Sequence, residues 1–376
     1  MIDLNDIEQI EKFDKSSQLK IMLSWSNLVK EARTNSLSFT IPSSYQWKDS
    51  VTQYQSPTNV LICGMGGSAI AGDYLVQAFE NELNIPVIVD KTYNLPNFVD
   101  KHTLVVCISY SGNTEETLAR FHEALEKKAM VVSISSGGLL EKFSKTVKTP
   151  HIKVKAGLPP RSSFPLIYIS LISIFEKFDL ISGIEDQIKE TEEVLIKQAS
   201  SYSPLTVIED NSAKKIAYGL FNTLPITIGH TIFSPVAYRS KCEFNENSKI
   251  IALSEVLPEQ NHNGIVGWDN SNKALNHVSV LFIRDKDEPK PIKIRVEETK
   301  KIISSRTEKV LEVFPKGKTI LAKQLSTTYL IDFISIYLAI LNEVDPTITT
   351  SINKLKKVLK SKLNLRVKYG DKITKG

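Results

Sequence analysis

Cysteine is scarce in this 376-residue chain: Cys63, Cys107 and Cys242 are an odd number with no CxxC spacing. That leaves no even disulfide framework and no thiolate zinc site, and it fits a reducing compartment. An excess of one charge is also lacking. The 47 Lys and Arg against 42 Asp and Glu leave a formal net charge of +5, spread along the chain, so no nucleic-acid partner is demanded. The exception is the C-terminal KLKKVLKSKLNLRVKYGDKITKG, which reads as a solvated helix face with a frayed tail, or as a basic surface for anions. Apolar runs are short, since FPLIYISLISIF is well under the roughly 20 residues that cross a bilayer, and no membrane partner is expected. The opening MIDLNDIEQIEKFDK is acidic and amphipathic, unlike a secretory leader, so the chain is expected in the cytoplasm.

What is present belongs to a folded chain, with 41% hydrophobic and 24% charged residues and a length suited to two cores. Residues 1–45 read as an N-terminal helical segment. From there NVLIC, IPVIVD, TLVVCI, AMVVSIS and HIKVKA read as strands, alternating with helices, which implies a parallel sheet covered on both faces. Helical text over 164–202 comes next, and then LPITIGH, KIIALSE, VSVLFIR and VLEVFP restart the pattern. TILAKQLSTTYLIDFISIYLAILNEV is apolar around most of its circumference and is expected to be buried. The expectation is an α/β protein with a first domain over 46–202, a second of similar build over 203–345, and a C-terminal helix and basic tail over 346–376.

Ligands of parallel sheets bind beyond the carboxyl ends of the strands, where helix N-termini offer unpaired N–H groups. Two glycine-rich turns fall there. Gly64-Met65-Gly66-Gly67-Ser68-Ala69 matches GxGxxA, and Asp90 lies where a dinucleotide site keeps its ribose-binding acid, so this turn alone points to NAD. The second, SYSGNTEET, sets Ser109, Ser111 and Thr114 around Gly112, which is a cradle for one phosphomonoester. The simpler alternative is a helix cap, with Glu115 or Glu116 closing a capping box.

GMGGSAIAGD, SYSGNTEET, GLPPRSSFP, EFNENSK, NHNGIVGW and DPT together resemble the bifunctional phosphoglucose/phosphomannose isomerases of the sugar isomerase (SIS) superfamily, in the same order over about residues 45–358. The resemblance implies two SIS-type domains, each a mainly parallel sheet flanked by helices, in a homodimer with the site between domains. It implies fructose, glucose and mannose 6-phosphates as substrates, interconverted through a cis-enediol, with no metal and no organic cofactor. It assigns phosphate binding to Ser109, Ser111 and Thr114 with Gly67 and Ser68 nearby, the reacting carbons to Arg161, proton transfer to Glu246, and ring opening to His262 supplied to the partner's site. Thr347 and Lys354 correspond to C-terminal site residues, with Lys356 and Lys357 competing for the lysine's role.

The chemistry suits those types. A carboxylate moves a proton between C1 and C2, a guanidinium stabilises the enediolate, and an imidazole titrates near neutral pH. By spacing alone Glu246 is an exposed turn glutamate and Arg161 a surface arginine in a loop. Thr347 and Lys354, seven apart, share a face if their helix begins early enough. A threonine at 347, where single-specificity enzymes carry a larger amide, implies room to rotate the intermediate and so both aldose configurations. His102, His122 and His151 are assigned nothing, and His230 reads as a packed or capping residue. Rival readings are a noncatalytic SIS sensor of sugar phosphates, another sugar-phosphate isomerase, and a dehydrogenase using Gly64, Gly66 and Asp90; a zinc-dependent mannose isomerase lacks a visible His/Glu ligand cluster.

Overall fold

The computed structural model describes residues 2–270, 273–363 and 369. The chain divides into two compact units, one of Met1–Ser26 with Glu185–Ile348, the other of Asn27–Ile184 with Thr349–Gly376. Both are α/β.

The second of these begins with a hairpin, β1 (Ser44–Trp47) and β2 (Ser50–Gln53), and then builds a parallel sheet from β3 (Asn59–Cys63), β4 (Val87–Asp90), β5 (Thr103–Ile108), β6 (Met130–Ser135) and β7 (His151–Lys153). The order is β4-β3-β5-β6-β7. Every residue of β5 and β6 is buried, as expected of unbroken apolar strands covered by helices on both faces. Leu61, Val105 and Val131 pack with Leu118, Phe121 and Phe143 of the covering helices. Each such side chain contributes about 1.5–3 kcal/mol on leaving water.

The other unit holds β8 (Leu224–His230), β9 (Leu253–Leu257), β10 (Val278–Ile283) and β11 (Val310–Val313), all parallel in the order β11-β10-β8-β9. Its strand order repeats that of β6-β5-β3-β4. Ile228, Val280 and Phe282 meet Val296 and Ile303 in its core. The helix Ile320–Leu341 is long and apolar enough to span a membrane by composition, yet every residue from Leu321 to Leu341 is buried in protein.

Each sheet has one place where the chain reverses direction. After β3 it builds outward to β4 and returns to β5 on the other side; after β8 it goes to β9 and returns to β10. These switch points open crevices at the strands' carboxyl ends.

Candidate active site

Cys63 and Cys107 pair in register, so the turns after β3 and β5 leave the sheet side by side at the switch point. The turn after β6 is next, since Ile108 pairs with Ile134. The helices Gly67–Ala78, Glu115–Glu126 and Gly138–Val147 start from these turns, and none is capped by the side chain of its own N-cap residue, although Asn113 reaches the first turn of the third. Three helix starts with positive dipole ends therefore adjoin one crevice.

The hydroxyls shape the middle turn and leave the helix uncapped. Ser109 Oγ and Thr114 Oγ1 are 2.8 Å apart, and Ser109 Oγ accepts Thr114 N–H at 3.4 Å. Ser111 Oγ accepts Asn113 N–H at 3.2 Å and is exposed. Gly112 has φ +64°, and a Cβ there would lie 1.7 Å from the carbonyl oxygen of Gly137, so only glycine fits. The third turn grips it: Leu140 N–H donates to Gly112 O at 2.9 Å, and Asn113 bridges Ser111 O at 2.9 Å to Leu139 N–H at 3.2 Å.

Arg161 joins this group. It is buried in the short 3-10 turn Pro160–Ser163, which runs into the helix Phe164–Lys177. Pro160 O lies 3.9 Å from where a Gly67 side chain would begin, so the arginine's loop passes over the first glycine turn, with Ser68 half-buried beside it.

Asp90 is committed elsewhere. Its carboxylate pairs at 2.8 Å with Arg120, which is wholly buried, and accepts Thr92 N–H at 3.1 Å. The ribose acid that GxGxxA suggests is thus a structural ion pair. A groove of 600 Å3 beside β7, lined by Glu31, Asn35, Thr40 and Lys155, holds none of the candidate site residues; its walls carry a Lys155–Glu31 pair at 3.6 Å and no hydroxyl turn.

In the β8–β11 unit, Glu246 is the last residue of the helix Ser234–Glu246 and is half-buried. Arg239, on one face of that helix, is buried and paired with Asp332 at 2.7 Å and Glu243 at 3.0 Å. Asn247 comes next and donates to Glu243 Oε2 at 2.9 Å and Ser335 Oγ at 2.8 Å. Lys249, which spacing does not single out, donates to the carbonyl oxygens of Glu246 and, at 3.3 Å, of Pro346. It brings the Glu246 end of the helix to the turn of Thr347, whose Oγ1 is buried without a protein hydrogen-bond partner. The helix over the tail begins at Thr350, after Thr347, so the shared-face argument for Thr347 and Lys354 fails. Lys354, Lys356 and Lys357 are all exposed on that helix.

His262 ends the 3-10 turn Glu259–His262 and is exposed. Its neighbours are fixed, with Asn261 bonded to Thr299 at 2.8 Å and to Arg295 at 3.2 Å. His230 and His151 are packed residues whose imidazoles burial pushes down, His151 to about 4. Burial pushes the Cys63 thiol well up, so it is an inert core thiol. Among the described residues no group of three or more His, Cys, Asp or Glu is placed to hold a metal ion.

Two parallel sheets with crossed-over strand order, one carrying a hydroxyl turn at its switch point, define a double-SIS protein. Family models agree: residues 53–176 match the SIS domain, and 209–359 match the bacterial phospho-glucose isomerase C-terminal SIS domain. A bifunctional phosphoglucose/phosphomannose isomerase of Caldicellulosiruptor bescii is 38% identical over 80% of this chain and 89% of its own, and one of Aquifex aeolicus 32% identical over 84% and 95%. The chain belongs to the bifunctional phosphoglucose/phosphomannose isomerase family. A D-glucosamine-6-phosphate 4-epimerase of Sulfolobus acidocaldarius is also similar, 30% identical over 71% of this chain and 78% of its own. A glucose-6-phosphate isomerase like protein from Thermus thermophilus shares the fold at 19% identity, with a TM-score of 0.61 over 95% of this chain and all of that one.

Proposed function

We propose that this enzyme interconverts fructose 6-phosphate with glucose 6-phosphate and mannose 6-phosphate. The observation that carries the reading is the turn Ser109–Thr114, a hydroxyl cradle beside the uncapped starts of the helices Gly67–Ala78 and Glu115–Glu126, with the buried Arg161 in the same unit. The phosphate is held by Ser109, Ser111 and Thr114 with Ser68 and the Gly67 amide. Arg161 offsets the charge that develops on oxygen as the cis-enediol forms. Glu246 takes the proton from one of C1 and C2 and returns it to the other. His262 opens the ring, each subunit of a homodimer lending its imidazole to the other's site, which suits an exposed histidine on a fixed loop. Lys354 reaches the same substrate from the C-terminal helix. The setting is the cytoplasm.

Dual specificity rests on Thr347. Its short side chain leaves room for the intermediate to turn about C2–C3, so that C2 is protonated from either face. The test is to incubate the enzyme with fructose 6-phosphate and identify the aldoses. Both glucose and mannose 6-phosphates are expected, and Thr347→Gln should suppress mannose 6-phosphate selectively. A single aldose narrows the reading to one activity. No aldose from fructose 6-phosphate, with 4-epimerisation of glucosamine 6-phosphate instead, moves the chain to the epimerase reaction.

A further inference from the structure

Tyr110 separates the two serines of the hydroxyl turn and has no part in the chemistry proposed for them. It is buried. Its backbone carbonyl accepts Ser136 N–H at 2.9 Å and Ser136 Oγ–H at 2.6 Å, which joins the turn after β5 to the turn after β6. Its side chain leaves in another direction. The phenol donates to Lys155 O at 3.0 Å and accepts Leu158 N–H at 2.9 Å. One hydroxyl thus holds two points of the segment that leads to Arg161.

Beyond Leu158 the chain is stiff. Pro159 and Pro160 have ring-locked φ, and Pro159 is extended at φ −55°, ψ 138°. Ser162 N–H donates to Pro159 O at 2.9 Å and Ser163 Oγ–H to Pro160 O at 2.6 Å, closing the 3-10 turn that carries the arginine. An anchor at Leu158 and a rigid two-residue spacer leave the Arg161 backbone little freedom relative to the hydroxyl turn. Burial pushes the Tyr110 phenol's pKa up, so it keeps its proton and its donor role at neutral pH.

We infer that Tyr110 is a positioning residue which sets Arg161 against the reacting carbons of a substrate whose phosphate the neighbouring serines hold. The inference rests on the role given to Arg161 under the proposed function. A turn that binds phosphate and a cation that stabilises the enediolate must keep a fixed separation, because only a cation aligned with the developing charge lowers the barrier. Tyr110 couples the two through a single residue.

Tyr110→Phe removes the hydroxyl and keeps the ring. Expected is a fall in kcat of about tenfold, with KM and the thermal protection by inorganic phosphate unchanged within about twofold. In an Arg161→Lys background, itself slow, the same substitution should cost almost nothing, because the group it aims has already been altered. Pro159→Ala, which loosens the spacer and leaves Tyr110 intact, should reproduce the kcat loss and be non-additive with Tyr110→Phe. The inference is overturned if Arg161→Lys is slow but Tyr110→Phe keeps full kcat. It is also overturned if the loss is undiminished in the Arg161→Lys background, or if phosphate protection falls together with kcat. Full kcat in Arg161→Lys itself would instead defeat the role given to Arg161.

Discussion

The two units share a strand order and differ in what fills their switch points. In the β3–β7 unit the crevice is edged by glycines, hydroxyls and two helix starts without side-chain caps. In the β8–β11 unit the corresponding place is occupied by paired charges, with carboxylates in excess of cations. Arg284, just after β10, meets Glu288 at 2.5 Å, Glu297 at 2.9 Å and Glu312 at 2.5 Å, while Lys323 meets Asp285 at 2.8 Å and Asp287 at 2.7 Å. His230, closing β8, lies 3.5 Å from Glu288. Burial works against the Glu288 carboxylate, yet Arg284 holds it below the usual range. The first crevice presents hydroxyl and N–H groups, and the second is filled by its own ion pairs. Duplicated architecture therefore does not duplicate the chemistry at the switch point: one copy carries a glycine and hydroxyl turn there, and the other an ion-pair network.

That division is open to attack at several points. Glu246→Gln should lower kcat about 10³-fold and leave thermal protection by inorganic phosphate intact, since the proposed base and the proposed cradle belong to different units. Loss of protection in that variant would merge the two roles. Arg284→Met leaves Glu288 and Glu312 without their common cation and should lower unfolding stability in urea by about 3 kcal/mol. Phosphate protection should survive, and if it does not, the second switch point also serves the ligand.

Acid separates the units differently. The unfolded His151 takes up a proton below about pH 6.5, whereas the folded one, held low by burial, does so only near pH 4. Stability is therefore full above about pH 6.5, falls as pH drops toward 4, and is reduced by on the order of 3 kcal/mol at most. His151→Gln should flatten that limb of a stability–pH profile; an unchanged slope would assign it to His230 or to the carboxylates. The smallest effect is expected for Ser111→Ala, which removes one exposed hydroxyl and should weaken inorganic phosphate binding about tenfold, measured by calorimetry.

Much of the fold is legible in the sequence where a local pattern carries it. The apolar strands β3, β5 and β6 and the glycine and hydroxyl turns are continuous in the chain, and both sheets form as their alternation with helices implies. The hairpin β1–β2 is not legible: its strands are four residues long and its turn is Lys48-Asp49, with Lys48 at φ +51° in place of a glycine. KIIALSE suggests a strand from Lys249, but β9 begins at Leu253, because Lys249 is left-handed at φ +58° and Ile250 N–H bonds back to Phe244 O. Long-range partners are hidden for a similar reason. Nothing near Asp90 announces Arg120, nothing near Gly112 announces Gly137, and no spacing rule links Lys249 to Pro346.

Synthesis meets the two units out of order. Residues 2–26 belong with the second half: Leu4 N–H donates to Tyr218 Oη at 3.1 Å, and Trp25 packs on Tyr329 with ring centroids 5.4 Å apart. Residues 27–184 intervene, and closing a loop of that length costs about 4–5 kcal/mol of chain entropy. On a ribosome adding 5–20 residues per second, Leu4 waits roughly 10–45 s for Tyr218 and Trp25 roughly 15–60 s for Tyr329. The strands β3–β7 emerge well before either partner, so the emerging protein has a formed hydroxyl turn while Leu4 and Trp25 still lack a core.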